Sequence, residues 1–323
     1  MKRSIRMLAA ALVALAAGQA FGQAYPSKPI RIIAAFPPGN PADTSMRWVT
    51  QKMTESMGQP FVIEANTVAS GVGAAQAVMR AAPDGYTILY ALPSMLMIPP
   101  FMIRNKPFDP LKDFTPITSL VDGPIAIHVL PSFPAKNIRE LIEYARANPG
   151  KITFGTNGIG GTYHLEMELL RQQFGGFNVV QVPYKSSTEG INALLGGEIS
   201  MVYSPVGALM PYIKAGKTKV LVLLEYKRWP DVPDVPTMAE EIPNYQRIPT
   251  GLNFYGPAGL PMTIAHRLHG EAVKALALPE TQAKLRELTF YGIGTSPEAL
   301  AAQQVKDFEI ITRAVKAAGI QPQ

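Results

Sequence analysis

The chain alternates short apolar runs with longer segments whose apolar residues recur at helical spacing. Continuous runs such as 32–36 predict buried strands, and segments such as 137–148, apolar at every third or fourth position, predict amphipathic helices. A helix between two strands requires a crossover, which favours parallel pairing. The pattern therefore predicts an α/β fold with mixed, largely parallel sheets flanked by helices.

The predicted elements are spread over the whole chain. The strands are predicted at 30–36, 61–66, 86–92, 125–130, 152–156, 178–184, 199–204 and 218–226. The helices are predicted at 43–57, 71–82, 137–148, 164–174, 187–197, 208–216, 263–276, 279–289 and 297–317. The proline-rich segment 229–245 is expected to be extended on the surface.

Chain length and the order of the elements indicate two lobes. Residues 25–323 are enough for two hydrophobic cores. We expect residues 25–124 and 252–323 to form the first lobe and residues 125–251 to form the second. The chain would then cross between the lobes near 121–124 and 247–251, and these two crossings are the predicted hinge.

Residues 1–24 have the pattern of a secretory signal peptide. Three basic residues precede the apolar run Met7–Ala17, which is too short to cross a bilayer comfortably, and the small residues Gly22 and Ala24 suit a cleavage site. We expect cleavage near Ala24 and a location in the bacterial periplasm. An uncleaved membrane anchor is the alternative.

Composition narrows the possible functions. Residues 1–24 contain three basic and no acidic residues, so cleavage lowers the formal net charge from +6 to +3. A positive charge this small and evenly spread does not support nucleic-acid binding. The chain has no cysteine, which excludes disulfides and thiol catalysis.

Two segments share the design of a strand, a glycine-containing turn and a helix. They are "IIAAFPPGNPADTSMRWV" (32–49) and "ITFGTNGIGGTYHLEMELL" (152–170). Glycine lets the backbone approach a ligand, and the free N–H groups of a helix start favour anions. Such loops lie at the carboxyl ends of strands, where open α/β sheets bind ligands. Two of them, facing each other across a cleft, would suit a small molecule with a carboxylate at each end.

Other interpretations of the two loops remain open. The glycines at 158–161 lack the GxGxxG spacing of a dinucleotide site, and neither loop has the GK[ST] of a P-loop. Both can also be plain turns, with Asp43 and Thr162 capping the helices. Asp43 can instead receive a ligand amine, and His164 is expected to tie its own loop together or to donate to a ligand.

The remaining candidate groups do not support catalysis or a metal site. His128 is expected in a strand as a core residue. His266 and His269 are spaced i, i+3, but no third metal ligand is evident. Glu166 and Glu168, two positions apart on a helix, do not face each other. We therefore predict neither an enzyme nor a bound cofactor.

A further group of apolar residues is assigned to structure. Met95, Met97 and Met102 are expected to pack in the core or hinge, away from the ligand surface.

Several motifs in this order resemble the solute-binding proteins of tripartite tricarboxylate transporters, often called Bug receptors. They include "YPSKPIRIIAAFPPG" (25–39), "RAAPDGYTILYA" (80–91), "VPYKSSTEGINALLGGEISMVYS" (182–204) and "FYGPAGLPMTIAHRL" (254–268). The resemblance implies a two-lobed, Venus-flytrap fold of the periplasmic-binding-protein type. It also implies a monomer that captures a small-molecule carboxylate without chemistry and presents it to a two-subunit membrane permease. Presentation to the ectodomain of a sensor kinase is the alternative.

The resemblance also implies which residues contact the ligand. In the family, backbone amides and hydroxyls of the two loops hold the carboxylates. The corresponding positions here are Phe36, Pro38, Gly39, Asn40, Asp43, Ser94, Asn157, Gly160, Gly161, Thr162, Tyr163, His164, Tyr203 and Ser204.

This chain departs from the family pattern in the loops. Asn40 and Pro41 follow Gly39 where a second glycine and a small residue are usual, and Pro41 removes one backbone donor. Ser204 stands where an acid is common, which weakens the case for an amino-acid ligand. Tyr163 replaces a small residue and can stack on an aromatic ring. We therefore expect an aromatic acid or a dicarboxylate, with the aromatic acid slightly preferred.

Overall fold

The computed structural model describes residues 25–156, 158–184 and 186–322. The predicted signal peptide, 1–24, and the predicted site residue Asn157 lie outside the described residues. Within the described ranges, no helix is long and apolar enough to cross a bilayer.

Strands and helices alternate through most of the chain. The strands are β1 (Ile30–Ala34), β2 (Phe61–Ala65), β3 (Thr87–Ala91), β4 (Phe114–Asp122), β5 (Ile125–Val129), β6 (Thr153–Thr156), β7 (Val180–Pro183), β8 (Met201–Pro205), β9 (Lys219–Leu223), β10 (Leu252–Pro257) and β11 (Tyr291–Gly292). The helices are α1 (Pro41–Met57), α2 (Val72–Met79), α3 (Pro93–Met97), α4 (Pro99–Met102), α5 (Ile138–Ala147), α6 (Thr162–Gln173), α7 (Ser187–Leu195), α8 (Val206–Lys214), α9 (Met238–Glu241), α10 (Met262–Ala277), α11 (Pro279–Glu287) and α12 (Pro297–Ala317).

The strands form two mixed sheets. The first has the order β11-β4-β10-β3-β1-β2, and the second has the order β7-β6-β8-β5-β9. β1 is parallel to both of its neighbours, and β6 is parallel to both of its own. The predicted α/β fold with mixed sheets is confirmed. Antiparallel pairing is more extensive than expected, because β5 and β10 each run antiparallel to both neighbours.

Helices cover both faces of the first sheet. Successive side chains of β1 point to opposite faces, so each face has apolar residues for a helix to cover. Ile30 and Ile32 face the cluster that includes Met46 and Met53 of α1. Ile33, the residue after Ile32, belongs to the cluster on the opposite face, with α2. Full burial of one such side chain stabilises the folded protein by about 1.5–3 kcal/mol. The continuous apolar run of β1 thus reflects a strand covered on both sides.

Three strands, β4, β10 and β11, and three helices, α3, α4 and α9, were not among the predicted elements. β4 and β10 were not predicted as strands, because Pro116 and polar residues interrupt the apolar pattern of β4 and Pro257 ends a short β10. The expectation of an extended surface segment at 229–245 is only partly right. The segment contains α9, and Met238 and Tyr245 are buried in the core beside the second sheet. The structure of these strands and of segment 229–245 therefore depends on packing against distant elements, which the local sequence pattern does not show.

A buried guanidinium lies where the chain passes between the two sheets. Arg247 donates to Asp122 Oδ2 and to Glu225 Oε1, each at 2.7 Å, and to Thr250 Oγ1 at 3.0 Å. Asp122 ends β4 in the first sheet, and Glu225 follows β9 of the second. The guanidinium therefore ties the outgoing crossing of the chain to the returning one. Burial alone would lower the pKa of the Arg247 guanidinium, but the charges of Asp122 and Glu225 raise it above its ordinary value, so the group remains charged.

The C-terminal helix packs on both parts of the molecule. Ile311 of α12 belongs to one apolar cluster with Met97 of α3 and Leu165 of α6. The proposed lobe boundaries, 25–124 with 252–323 and 125–251, coincide with membership of the two sheets. α12 nevertheless contacts elements on each side of that division.

We expect the Arg247→Met substitution to destabilise the protein by about 3–5 kcal/mol, because it leaves two buried carboxylates without their cation. The measurement is the urea unfolding midpoint at pH 7. Arg31→Met is the control, because Arg31 pairs with Glu64 at 2.6 Å while both side chains are about half exposed. Equal losses in the two variants would contradict a special role for the buried network.

Candidate functional site

The first predicted loop leaves the carboxyl end of β1. Phe36 is buried and packs edge-on against Tyr90, with ring centroids 5.7 Å apart. Pro38 and Gly39 are exposed, and the φ angle of 82° at Gly39 lies in the left-handed region that glycine adopts without strain. The loop thus turns sharply before α1.

The start of α1 is capped by its own residues. Asp43 N–H donates to Asn40 Oδ1 at 2.7 Å, so Asn40 is the N-cap and the expectation that Asp43 caps this helix is wrong. Asp43 is the third helical residue, and its Oδ2 accepts from Gly39 N–H and from Arg47 Nε, each at 2.8 Å. Pro41 has no N–H to offer at the first helical position. The N–H groups of Gly39 and Asp43 are therefore hydrogen-bonded within the loop, and Pro41 offers none.

The second predicted loop follows β6 and leads into α6. Gly160 has a φ angle of 74°, and its N–H donates to His164 Nδ1 at 3.0 Å. Burial lowers the pKa of His164, which keeps the ring neutral and able to accept this bond. The expectation that His164 ties its own loop together is confirmed.

The helix start of α6 has no side-chain cap. Gly161 is the N-cap residue, and Thr162 is the first helical residue, so the expectation that Thr162 caps this helix is wrong. The Thr162 hydroxyl instead donates to Ser94 Oγ at 3.2 Å. Ser94 lies in α3, beside the first sheet, so this bond joins the two sides of the cleft.

A cavity of about 300 Å³ lies between the two sides at this point. It includes the predicted site residues Ser94, Gly160, Gly161 and Thr162. The other lining residues were not predicted as ligand contacts. They are Ala69, Ser70, Val72, Leu92, Met95, Ile98, Pro99, Met102, Ile103 and Ile159.

The first-lobe wall of the cavity therefore comes mainly from the segments after β2 and β3. The residues of the first loop, 36–43, do not line this cavity. Ala69 and Ser70 have left-handed φ angles of 48° and 54°, an uncommon backbone at such residues. A glycine-containing start of the helix at 71–82 was the one sequence signal for this turn.

Two methionines lie against glycines at the cavity wall. Met102 faces Gly160 so closely that a Cβ atom on Gly160 would lie 2.6 Å from Met102 Cε. Met95 has the same relation to Gly71, with 3.3 Å between such a Cβ and its sulfur atom. The expected core packing is confirmed for fully buried Met97, while Met95 and Met102 pack against core clusters and also line the cavity. Local spacing could not show this, because Gly160 and Met102 belong to opposite sides of the cleft.

Three predicted contacts lie deeper than the cavity. Tyr203 is 1% exposed, and Ser204 is completely buried. The Tyr163 ring stacks on Tyr203, with centroids 6.2 Å apart and an interplanar angle of 20°. Burial raises the pKa of Tyr163 to about 12. Tyr203 thus occupies one face of the Tyr163 ring, and ligand contacts by these residues stay a prediction.

Glu166 fixes α6 to the returning crossing of the chain. Its carboxylate accepts from Ile248 N–H at 2.6 Å and from the Tyr245 hydroxyl at 3.0 Å. Burial raises its pKa to about 7, although both hydrogen bonds favour the charged form. Glu168 points elsewhere and pairs with Arg171 at 2.9 Å. The two carboxylates do not form a catalytic pair.

The other histidines have structural partners. Buried His128 lies within hydrogen-bonding distance of Ser204 O, 3.2 Å from Nε2, but its Nδ1 has no partner in the described ranges. Burial lowers its pKa to about 4 and keeps it neutral. His266 contacts Glu298, and His269 contacts Gly294 O. Among the described residues, no group of three or more His, Asp or Glu is placed to hold a metal ion.

Comparison with known proteins agrees with this architecture. The family model for the tripartite tricarboxylate transporter family receptor, TctC, matches residues 45–318. The chain belongs to this family. It is also similar to the Cupriavidus necator UPF0065 protein in the gbd 5' region, with 34% identity over 304 residues, which cover 92% of this chain and 91% of that protein.

Solved structures of similar proteins share the fold. R. palustris Rpa4515, solved with adipate, has 29% sequence identity and a TM-score of 0.78, and the match covers 93% of this chain and all of that one. The periplasmic binding protein BugD has 30% identity and a TM-score of 0.75 with the same coverage. The predicted family and two-lobed binding-protein fold are therefore confirmed. The family consists of receptors that bind solutes and work with a transporter.

We expect Gly160→Ala to lower the melting temperature of this receptor more than Gly158→Ala does. Both positions have positive φ angles, but only a Cβ at Gly160 meets Met102, whereas nothing lies within 4 Å of one at Gly158. Met102→Ala should restore part of the stability of Gly160→Ala and none of that of Gly158→Ala. Absence of this selective rescue would show that the methionine does not close on the loop.

We expect Glu166 to make the receptor less stable as pH rises. Folding raises the pKa of Glu166 to about 7, so the folded protein binds this proton more tightly than the unfolded chain does. The resulting stabilisation is fully present below the unfolded pKa, about 4.3, and it is lost as pH rises through about 7. Glu166→Gln removes this loss, so its urea midpoint should fall less between pH 5 and pH 8 than that of the parent protein. Exposed Glu309→Gln controls for the removal of one charge, and the same reduction in both variants would refute the assignment.

Proposed function

We propose that the protein captures an organic carboxylate, an aromatic acid or a dicarboxylate, in its interlobe cleft. It then delivers the acid to the two-subunit permease of a tripartite tricarboxylate-type transporter. The observation that carries the proposal is the cavity of about 300 Å³ at the uncapped start of α6, in a chain of this receptor family.

The donors at the start of α6 suit a carboxylate. The first N–H groups of a helix have no partner within it, and the helix dipole adds a partial positive charge there. Gly161 contributes no side chain to occupy them, and the first turn contains no acidic residue. The hydroxyls of Ser94 and Thr162 lie beside the same helix start. This environment holds an anion without a buried lysine or arginine.

The proposal extends to the residues and the location predicted from the sequence. The first-loop contacts, Phe36, Pro38, Gly39, Asn40 and Asp43, remain part of the proposed site, beside the cavity. Closure of the two lobes about 121–124 and 247–251 would bring them to the ligand. Export through a signal peptide at 1–24 places the mature monomer in the periplasm. The adipate in the similar protein Rpa4515 supports a carboxylate as the ligand.

Ligand-dependent melting of residues 25–323 tests the proposal. The panel comprises benzene carboxylates, linear C4 to C8 dicarboxylates, citrate, acidic amino acids and nicotinate. A ligand at 100 times its Kd stabilises the native protein by about 2.7 kcal/mol, which a melting curve resolves. We expect a clear shift with at least one aromatic acid or dicarboxylate, and no shift with any acid would overturn the function.

We expect Thr162→Val to weaken binding of the acid identified in this panel about ten-fold, because the Thr162 hydroxyl, which donates to Ser94 Oγ in this structure, would turn to the bound carboxylate and is lost in the variant. Thr312→Val removes an exposed hydroxyl on α12, far from the cavity lining, and should leave the affinity unchanged. Isothermal titration compares the two. Equal affinities would exclude the Thr162 hydroxyl as a ligand contact.

A further inference from the structure

We propose, on the basis of the function proposed above, that the ligand is a monocarboxylate with an apolar body. The two loops have one design in the sequence, but the structure makes them unequal. The start of α6 is open to an anion, whereas the start of α1 is closed by the side chains of its own loop.

At the start of α1, two backbone donors are bound within the loop and one is absent. Gly39 N–H is bound by the Asp43 carboxylate, and Asp43 N–H is bound by the Asn40 side chain. Pro41 has no N–H to donate. A carboxylate at this end would have to displace hydrogen bonds that the loop already makes.

The charge at this helix start also opposes a second carboxylate. Asp43 is 2% exposed, and its Oδ1 has no hydrogen-bond partner in the part of the chain that the structure describes. Arg47 contacts the other oxygen, Oδ2, and its own side chain is about half exposed. A ligand carboxylate here would meet a buried acceptor of the same charge, which costs both repulsion and desolvation.

The cavity beside the start of α6 is lined mostly by apolar side chains, together with the hydroxyls of Ser70, Ser94 and Thr162. Its walls include Val72, Met95, Met102, Ile103 and Ile159, from both sides of the cleft. None of the described residues that line it carries a charged side chain. Unbranched methionines adapt to aromatic or aliphatic groups of different shape. A ligand with its carboxylate at α6 would therefore bury a hydrocarbon body, and a second charge on that body would be desolvated without a partner.

Matched pairs of acids test the inference by isothermal titration with residues 25–323. The pairs are hexanoate and adipate, octanoate and suberate, and benzoate and terephthalate. We expect the monocarboxylate of the best-binding pair to bind at least ten-fold more tightly than its dicarboxylate. Equal or tighter binding of dicarboxylates would overturn the inference and leave the proposed function intact. Failure of every acid to bind would overturn the proposed function itself.

A further ligand pair, which differs by one ammonium group, tests whether Asp43 repels a ligand carboxylate or attracts a ligand amine. Phenylalanine is compared with 3-phenylpropionate, which differs only in lacking the ammonium group. We expect 3-phenylpropionate to bind at least as tightly. Tighter binding of phenylalanine would show that Asp43 receives a ligand amine and would overturn the assignment of an apolar monocarboxylate.

A double variant, Asn40→Gly with Pro41→Ser, reopens the first helix start. It frees the Asp43 N–H and adds one backbone donor, so we expect the preference for monocarboxylates to fall at least three-fold through tighter dicarboxylate binding. Pro279→Ser is the matched control, because Pro279 also begins a helix but is exposed on α11, outside the cavity lining. An unchanged preference in the double variant would show that the first loop does not select the ligand.

Discussion

The two parts of the molecule depend on one buried ion-pair network. Arg247 holds Asp122 at the end of the first sheet and Glu225 beyond the second, so both crossings of the chain share one cation. A buried charge tolerates little displacement, because each lost partner leaves an uncompensated group in a medium of low dielectric constant. The network therefore holds the two crossings of the chain together, at the point about which the proposed closure of the lobes would turn.

The position of α6 follows from the same region. Glu166 attaches the first turns of α6 to Ile248, next to Arg247, while Thr162 reaches Ser94 on the other side of the cleft. The start of α6, which we assign to the ligand carboxylate, is thus held by two contacts, one at Thr162 and one at Glu166. Preorganised donors bind an anion more tightly than mobile ones, because less conformational freedom is lost on binding.

The fold and family could be predicted from the sequence more completely than the site. Ser94, Gly160, Gly161 and Thr162 were predicted and do line the cavity, because glycine turns at strand ends are a local signal. The place of Met102 in the cavity wall was not predicted, since its neighbour Gly160 is 58 positions away, on the other side of the cleft. Strand β4 was missed because Pro116 interrupts a pattern that only pairing with β10 completes.

The sequence by itself determined the alternation of strands and helices, the two loops and the receptor family, because periodicity and motif spacing are properties of neighbouring residues. Tertiary structure decided which donors remain free. Asn40 and Asp43 close one helix start, and the glycine at the other leaves it open. That difference depends on side-chain directions and burial, which arise only when distant segments pack together.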